Sequence, residues 1–592
     1  MILISSLKSA LVDEEVKNRV QNVIYLGPWC FNGLQEIDKN GYTYKDLRIA
    51  EPFGILPAER ELIDHLYTIY YKKSLNNLIK SLNEYHGQKY PHRFWEIYLG
   101  HWYNRMFATV LNRFLHLKKT IEANDCIDEH WGTSPSNNIL IPIDEKTAVQ
   151  RLNRNDWNAM VYSIMIERFF NIKHSYIHQS DKKAVKKPKK LIHTLASDRR
   201  LFSGDSPFFI YKPYVKWSDS IKLQTMLKQF PVFWSEQSFS NFVEVDLSAR
   251  RKLQQKLSLG DQIGQVLGHM LPVLLPKVFL EQFNEALNFT ESLPWPKKPK
   301  VIYTANGFAG DSMFQLWTAK KVLSGARYVV GQHGNNYGTY KLSKYWPELS
   351  TADKFLSWGW SDHGNNYLSK IQPVCNFIYK GNKSVRKSRS LQKVLILTKG
   401  RGNRSSISCR DFEFFSEMDD TLFLIRSIIS KTPAQVTLRF HGNISDNDRA
   451  ILSEKAQKLG HRIKIDYPQN TLIKLVKHHD LIVFTYDSTG FLEMLQSKVS
   501  VMALFKNNEN LLFEHVNQEL MPVCNEGVIF KNRGNLSNTI ISLSCDSLKW
   551  LNWKSNFHNS LIIKKFREKY VKNCKNRNLE IAKAIYEELD NK

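Results

Sequence analysis

Four short stretches of this 592-residue chain carry side chains suited to polar chemistry, and each follows an apolar, strand-like run. In Thr304-Ala-Asn-Gly-Phe-Ala-Gly-Asp311, Asn306 and Asp311 could meet an acceptor hydroxyl. Asp311 is either a proton-abstracting carboxylate or the cap of the helix that follows. In Val330-Gly-Gln-His-Gly-Asn-Asn-Tyr-Gly338, a strand ends on Gln332, His333 and Gly334. An imidazole there could deprotonate a hydroxyl or stabilise a leaving phosphate, and the flanking glycines let a ligand approach the backbone. In Val436-Thr-Leu-Arg-Phe-His-Gly442, Arg439 and His441 fall on one face of a strand. The guanidinium fork suits a phosphate, unless a local acid such as Asp446 engages it instead. In Phe484-Thr-Tyr-Asp-Ser-Thr-Gly490, Ser488, Thr489 and Gly490 start a helix directly after a strand, where free N–H groups and the helix dipole favour a diphosphate. Glu493, one turn further, could bind a ribose or sugar hydroxyl.

These positions need strands to end at a common edge. From Val394 to Leu504 apolar runs alternate with helical stretches: strands Val394–Thr398, Val436–Phe440, Ile463–Asp466, Leu481–Thr485 and Val499–Leu504, with helices between them. That alternation predicts a parallel, doubly wound sheet. Upstream, strands are expected at Asn22–Leu26, Val301–Thr304, Ala326–Gly331 and Lys354–Trp358, with long helices over 56–119 and further helices over 154–170 and 253–292. The stretch 361–392 reads as a linker. The expected organisation is therefore an α/β amino-terminal domain with helical insertions over 1–385, on the acceptor side. A compact Rossmann-like domain over 386–592 takes the donor side, and ligands enter the cleft between them.

Composition limits the alternatives. Hydrophobic residues at 42% and charged residues at 24% are globular values. The net charge of +26 favours polyanionic partners without choosing among them. The run Lys182-Lys-Ala-Val-Lys-Lys-Pro-Lys-Lys190 reads as an exposed basic loop suited to acidic lipid headgroups, and contact with an anionic membrane surface is one expectation. No zinc-finger, homeodomain-like or RNP signature supports nucleic acid as partner. The aromatics Trp95, Tyr98, Trp102 and Tyr103 are either core or a sugar-stacking surface. Seven scattered cysteines, never in CxxC spacing, argue against a disulfide framework or a structural zinc. The segment Ile263–Leu280, broken by Pro272 and Pro276, suits either a membrane interface or a buried kinked helix. A cytoplasmic protein, peripheral at the inner membrane face, is expected. Lys399-Gly-Arg-Gly402 lacks Walker spacing and no GxGxxG occurs, which removes support for ATPase and dehydrogenase readings.

Five motifs occur in order: Leu26-Gly-Pro-Trp-Cys30, Arg93-Phe-Trp-Glu-Ile-Tyr-Leu-Gly-His-Trp102, Gly331-Gln-His-Gly334, Ser357-Trp-Gly-Trp360 and Tyr486-Asp-Ser-Thr-Gly490. Together they resemble bacterial transferases of O-antigen and surface-carbohydrate biosynthesis, a family similar in turn to the GT-B superfamily. The resemblance implies two Rossmann-like domains facing a cleft, and a nucleotide-sugar donor held near Ser488, Thr489 and Glu493. It also implies that His333 faces the acceptor, expected to be a lipid-linked glycan; no cofactor is expected, and the lack of an obvious DxD pair after a strand is consistent with no bound metal. The Gln-His-Gly segment is also similar to glycerol-phosphate and Kdo-type transferases, so transfer of glycerol or ribitol phosphate is the alternative enzyme. A non-catalytic polyanion-binding protein is the alternative of another class. One departure stands out: the Arg-x-His-Pro pattern of such enzymes reads Arg439-Phe-His-Gly442 here.

Overall fold

The computed structural model describes residues 1–5, 22–27, 30, 47–177, 206–239, 243–258, 260–362, 364, 367–377, 388–399, 410–441, 444, 446–467, 472–497, 499–506 and 509–590. The basic run 182–190, residues 28–29 and the loop 400–402 lie outside them.

Among the described residues, fifteen strands form three sheets, and every pairing within them is parallel. The first sheet has the order β2-β1-β3-β4, from β1 (Ile2–Ile4), β2 (Val23–Tyr25), β3 (Glu129–Thr133) and β4 (Lys173–Ile177). The second runs β5 (Phe208–Tyr211), β6 (Val301–Thr304), β7 (Arg327–Gly331), β8 (Lys354–Ser357), β9 (Lys370–Pro373) in chain order. The third contains β10 (Lys393–Thr398), β11 (Gln435–Phe440), β12 (Ile463–Asp466), β13 (Leu481–Phe484), β14 (Val501–Leu504) and β15 (Ile529–Phe530), arranged β12-β11-β10-β13-β14-β15. This is the doubly wound dinucleotide-fold order, which reverses direction between β10 and β13 and opens a crevice beyond their carboxyl ends. The expected mixed α/β architecture with parallel sheets is present. The stretch 1–385 carries two sheets where a single one was expected, and β9 occupies part of the expected linker.

Two long helices, Pro57–His86 and His92–Glu122, lie between the strands of the first sheet. The aromatics of the second are core: Trp95, Tyr98, Trp102 and Tyr103 are all at most 1% exposed. Each contributes about 2–3 kcal/mol of gross burial free energy, and none is free to stack on a sugar. The helix Gln262–Leu274 carries Pro272 near its end and buries Val266, Leu267, Met270 and Leu271, so it is a core helix. Among the described residues no helix is long and apolar enough to cross a membrane.

The chain closes on itself at the carboxyl end. The helix Arg577–Asp590 leaves the third sheet's unit and docks on the second sheet. There Glu588 accepts from Arg327 at 2.7 Å and pairs with the buried Lys354 at 3.0 Å. Lys354 also donates to the Ala584 carbonyl at 3.0 Å.

Candidate active site

The carboxyl ends of β6 and β7 and the crevice of the third sheet meet at one place. After β7, residues 332–338 form a tight loop fixed from several sides. Gly338 sits at φ +69°, a conformation that favours glycine, and a Cβ there would come within 2.4 Å of Trp360. Gln332 is buried and acts as a strut. Its Oε1 accepts from the Trp358 backbone at 2.9 Å and from Trp360 Nε1 at 2.8 Å, while its Nε2 donates to the Gly334 carbonyl at 2.7 Å. Gln332 therefore shapes the loop through three hydrogen bonds of its amide.

His333 is half-buried on this loop, edge-on to Phe308 and Tyr214. Burial, reinforced by the positive charge of Arg105, pushes its pKa down to about 4. The imidazole is thus neutral at pH 7 and carries one N–H. The Tyr337 hydroxyl lies 3.0 Å from His333 Nδ1 and donates its single proton to Glu348 Oε1 at 2.7 Å. Tyr337 can then only accept from the imidazole, which puts the His333 proton on Nδ1 and leaves Nε2 as a free lone pair. Behind Tyr337, Glu348 is fully buried, and burial raises its pKa to about 7. Its other oxygen lies 3.4 Å from His101 Nε2, an imidazole held well below its usual range by burial and by Arg105. The hydrogen bonds joining Glu348, Tyr337 and His333, with His101 close behind Glu348, thus favour the Nδ1–H tautomer of His333.

Local sequence explains how this chain assembles. Gly100 lets Pro347 approach to 3.0 Å of where a Cβ would stand. The short helix Pro347–Thr351 therefore lies against the long helix, and Glu348 reaches His101. Arg105, one turn beyond His101, is held by Glu145 at 3.6 Å.

The opposing wall comes from the third sheet. Ser488 caps the helix Thr489–Gln496, accepting from the Phe491 N–H at 3.2 Å. Thr489 bonds directly across the cleft: its Oγ1 accepts from the Asn335 N–H at 3.1 Å and donates to Asn335 Oδ1 at 3.3 Å. Asn335 Nδ2 donates to Asp487 at 3.0 Å. Gly334 leaves the room this needs, since a Cβ there would stand 3.1 Å from Thr489 Oγ1. Gly490 packs under the Phe484 ring. Glu493, one turn into the helix, is half-buried, and burial raises its pKa to about 7. Its charge, after burial, helps raise the phenol of Tyr214, the residue whose ring lies against His333. Tyr214 thus touches His333 and feels the charge of Glu493 from the other half. A pocket adjoins this contact, walled by Asn335, Asp487, Phe491, Leu492, Val516 and Tyr570.

Backbone strain gathers at the same place. Tyr214 at φ 54°, Lys212 at φ 43° and Asn336 at φ 75° are three of four non-glycine residues with positive φ among the described residues. Each such residue costs about 1–3 kcal/mol, and such costs cluster at functional sites.

The remaining expected residues fall differently. Asp311 is 3% exposed, caps the helix Ser312–Leu323, and accepts from Tyr211 at 2.5 Å and Lys212 at 3.1 Å. Burial raises its pKa despite Lys212, but the carboxylate is already occupied. Asn306 is exposed beyond β6, with its N–H held 3.4 Å from Thr304 Oγ1. Arg439 donates to Asp466 at 2.7 Å, its partner in register on β12, so a carboxylate does engage it, from the neighbouring strand. The guanidinium is drawn toward β12, away from the β10–β13 crevice. His441 follows β11; its N–H donates to the Thr398 carbonyl at 2.9 Å, and its ring lies 6.4 Å from that of Tyr486. Tyr337, Glu348, His101, Asn335 and Tyr214 were not singled out by sequence. Three of them do lie inside the quoted stretches: His101 in Arg93–Trp102, and Asn335 and Tyr337 in Val330–Gly338.

The model of the LIC12162 family transferase matches residues 9–585. The chain belongs to this family. It is accordingly a transferase. Among solved structures it is similar to an O-GlcNAc transferase from Thermobaculum terrenum, at 9% identity over 83% of this chain and 84% of that one, with a TM-score of 0.34. It is also similar to MurG from Acinetobacter baumannii, at 8% identity over 64% of this chain and 99% of that one, TM-score 0.34. A pneumococcal O-GlcNAc transferase, GtfA, matches at 11% identity over 51% and 60% of the two chains, TM-score 0.33. A search of curated protein sequences matches none.

Proposed function

We propose that this family member is a glycosyltransferase that moves a sugar from a nucleotide-activated donor to a hydroxyl of a surface-glycan intermediate on a lipid carrier. The observation that carries the reading is the pairing of a free His333 Nε2 with the Thr489–Gln496 helix start across a hydrogen-bonded cleft. The N–H groups of Thr489 and Gly490 are free of the Ser488 cap and offer a seat for the donor diphosphate, favoured by the helix dipole. The acceptor oxygen attacks the anomeric carbon, the carbon–oxygen bond to the diphosphate breaks, and His333 Nε2 takes the hydroxyl proton. His333 is tuned for this: neutral before the reaction, with Tyr337 and Glu348 placed to stabilise the imidazolium that forms. Glu493, with its raised pKa, stays largely protonated at mildly acidic pH and donates to the diphosphate or a sugar hydroxyl. The resemblance in the five ordered motifs supports the acceptor class and a site of action at the cytoplasmic membrane face.

A thermal-shift panel of nucleotide sugars and nucleoside diphosphates tests this reading, followed by mass analysis of the product formed with the best donor. The expected result is stabilisation by one base class and a product heavier by one sugar residue. A product heavier by a glycerol or ribitol phosphate would replace the proposal. Stabilisation by oligonucleotides with no response to any nucleotide sugar would refute it.

A further inference from the structure

The chain passes between its two halves twice, and both passages meet at a pair of thiols. The outgoing chain leaves β9 and reaches Cys375 two residues later. The returning chain leaves the helix Leu561–Tyr570 and reaches Cys574 just before the terminal helix. The two sulfurs lie 2.6 Å apart although 199 residues separate them. That is about half an ångström beyond the length of a disulfide bond, about 2.05 Å. The backbones on either side are already fixed to each other. Asn376 N–H donates to the Lys572 carbonyl at 2.9 Å, Lys572 N–H to Trp358 at 2.8 Å, and Arg577 Nη1 to Phe377 at 2.8 Å. Small side-chain torsions therefore suffice to bring the sulfurs to bonding distance. Neither sulfur has a place in the transfer chemistry.

We propose that Cys375 and Cys574 are a reversible oxidation site, closing to a disulfide that staples the two crossings between the halves. Cys574 is the attacking member. It is partly exposed, and the hydrogen bond to Cys375, aided by Arg577, holds its thiol below the usual range against the effect of burial. Buried Cys375 is the resolving member. A small-molecule disulfide is the oxidant. The Cys574 thiolate attacks one of its sulfurs, breaking the sulfur–sulfur bond and expelling one thiolate that takes up a proton. Cys375 then loses its proton and attacks Cys574 Sγ, breaking the mixed disulfide and releasing the second small thiol. The protein loses two electrons and two protons, and one small disulfide becomes two thiols. Because the loop closed is long and the bond joins the two crossings between the halves, it restrains the unfolded chain strongly and ties the halves together.

The test is oxidation of the full chain with oxidised glutathione, quenching with N-ethylmaleimide, non-reducing digestion and mass spectrometry. We expect a linked Cys375–Cys574 peptide two hydrogens lighter than its parts, reverting on treatment with a thiol reductant. Exposed Cys126 and Cys545 serve as internal controls, carrying only glutathione or maleimide. The melting temperature should rise on oxidation in the parent and stay constant in Cys574→Ala. Maleimide or glutathione on both Cys375 and Cys574 with no linked peptide would overturn the proposal. So would the same melting shift in Cys574→Ala.

Discussion

Replacing Tyr337 by Phe removes a single oxygen from the middle of the hydrogen-bond chain behind His333. The phenyl ring keeps its place, stacked on Phe355 at 5.2 Å and edge-on to Trp346 at 4.8 Å. The lost hydroxyl leaves Glu348 Oε1 and His333 Nδ1–H without their partner. Leaving buried polar groups unsatisfied costs about 1–3 kcal/mol, so the variant should fold and melt a few degrees lower. The larger effect is on the reaction. Without the acceptor that selects Nδ1–H, the His333 lone pair is no longer fixed on Nε2, and the forming imidazolium loses its link to Glu348. General-base catalysis contributes about 10²–10⁴-fold; losing most of it raises the barrier by about 3 kcal/mol, or about 10²-fold in rate. The assay is release of nucleoside diphosphate from the donor found by thermal shift, read as kcat and KM separately. The expected outcome is a kcat about 10²-fold lower with the donor KM within a few-fold of the parent. A variant with near-parental kcat, or one whose whole defect lies in KM, would refute the assignment of Tyr337 as the residue positioning His333.

Other consequences concern carboxylates. Glu493, raised to about 7 by burial, is neutral below that pH and anionic above it. Nucleoside diphosphate binding measured by titration calorimetry should therefore weaken as pH rises through 7, and Glu493→Gln should flatten the profile; an unchanged profile in the variant removes Glu493 from the donor site. Glu348, also raised to about 7, binds its proton more tightly folded than unfolded. Its contribution to stability is complete below about pH 4.5 and disappears as pH rises through 7. That difference amounts to about 3 kcal/mol, and urea unfolding at pH 5 and pH 8 should show the difference shrinking in Glu348→Gln. Asp311→Asn should lower stability, since Asp311 caps a helix and accepts from Tyr211 and Lys212, yet leave turnover within a few-fold. A turnover loss as large as that of His333→Ala would make Asp311 the base.

The parts of the fold visible in the sequence are those where burial on both faces writes a continuous apolar run. Val394-Leu-Ile-Leu, Leu481-Ile-Val-Phe and Val501-Met-Ala-Leu are strands for this reason, and the helix that starts after Leu481–Phe484 carries its own cap. β9 escaped because Lys370-Ile-Gln-Pro373 is an edge strand, half polar, and ends in a proline tolerated only at such an edge. The split of the amino-terminal region into two sheets also escaped: Glu129-His-Trp-Gly-Thr133 is a largely polar strand, and the short apolar run Phe208–Tyr211 does not state which strands it joins. In the candidate site, His333, Ser488, Thr489 and Glu493 were legible as polar groups beyond apolar strands. The chain behind His333 was not. It joins residues of a long helix, a loop and a short helix, and their contact depends on Gly100 admitting Pro347. For Arg439 the sequence left phosphate and a nearby acid both open, and the acid that engages it, Asp466, stands in register on the neighbouring strand rather than close in sequence.

The proposed transfer between His333 and the Thr489–Gln496 helix requires both walls at once. Donor turnover by His333→Ala and Glu493→Ala, each verified as folded by circular dichroism and thermal melting, tests this most directly. The expected result is a loss of about 10²-fold or more in both variants, with melting temperatures close to the parent. Turnover near the parental rate in both variants would contradict it.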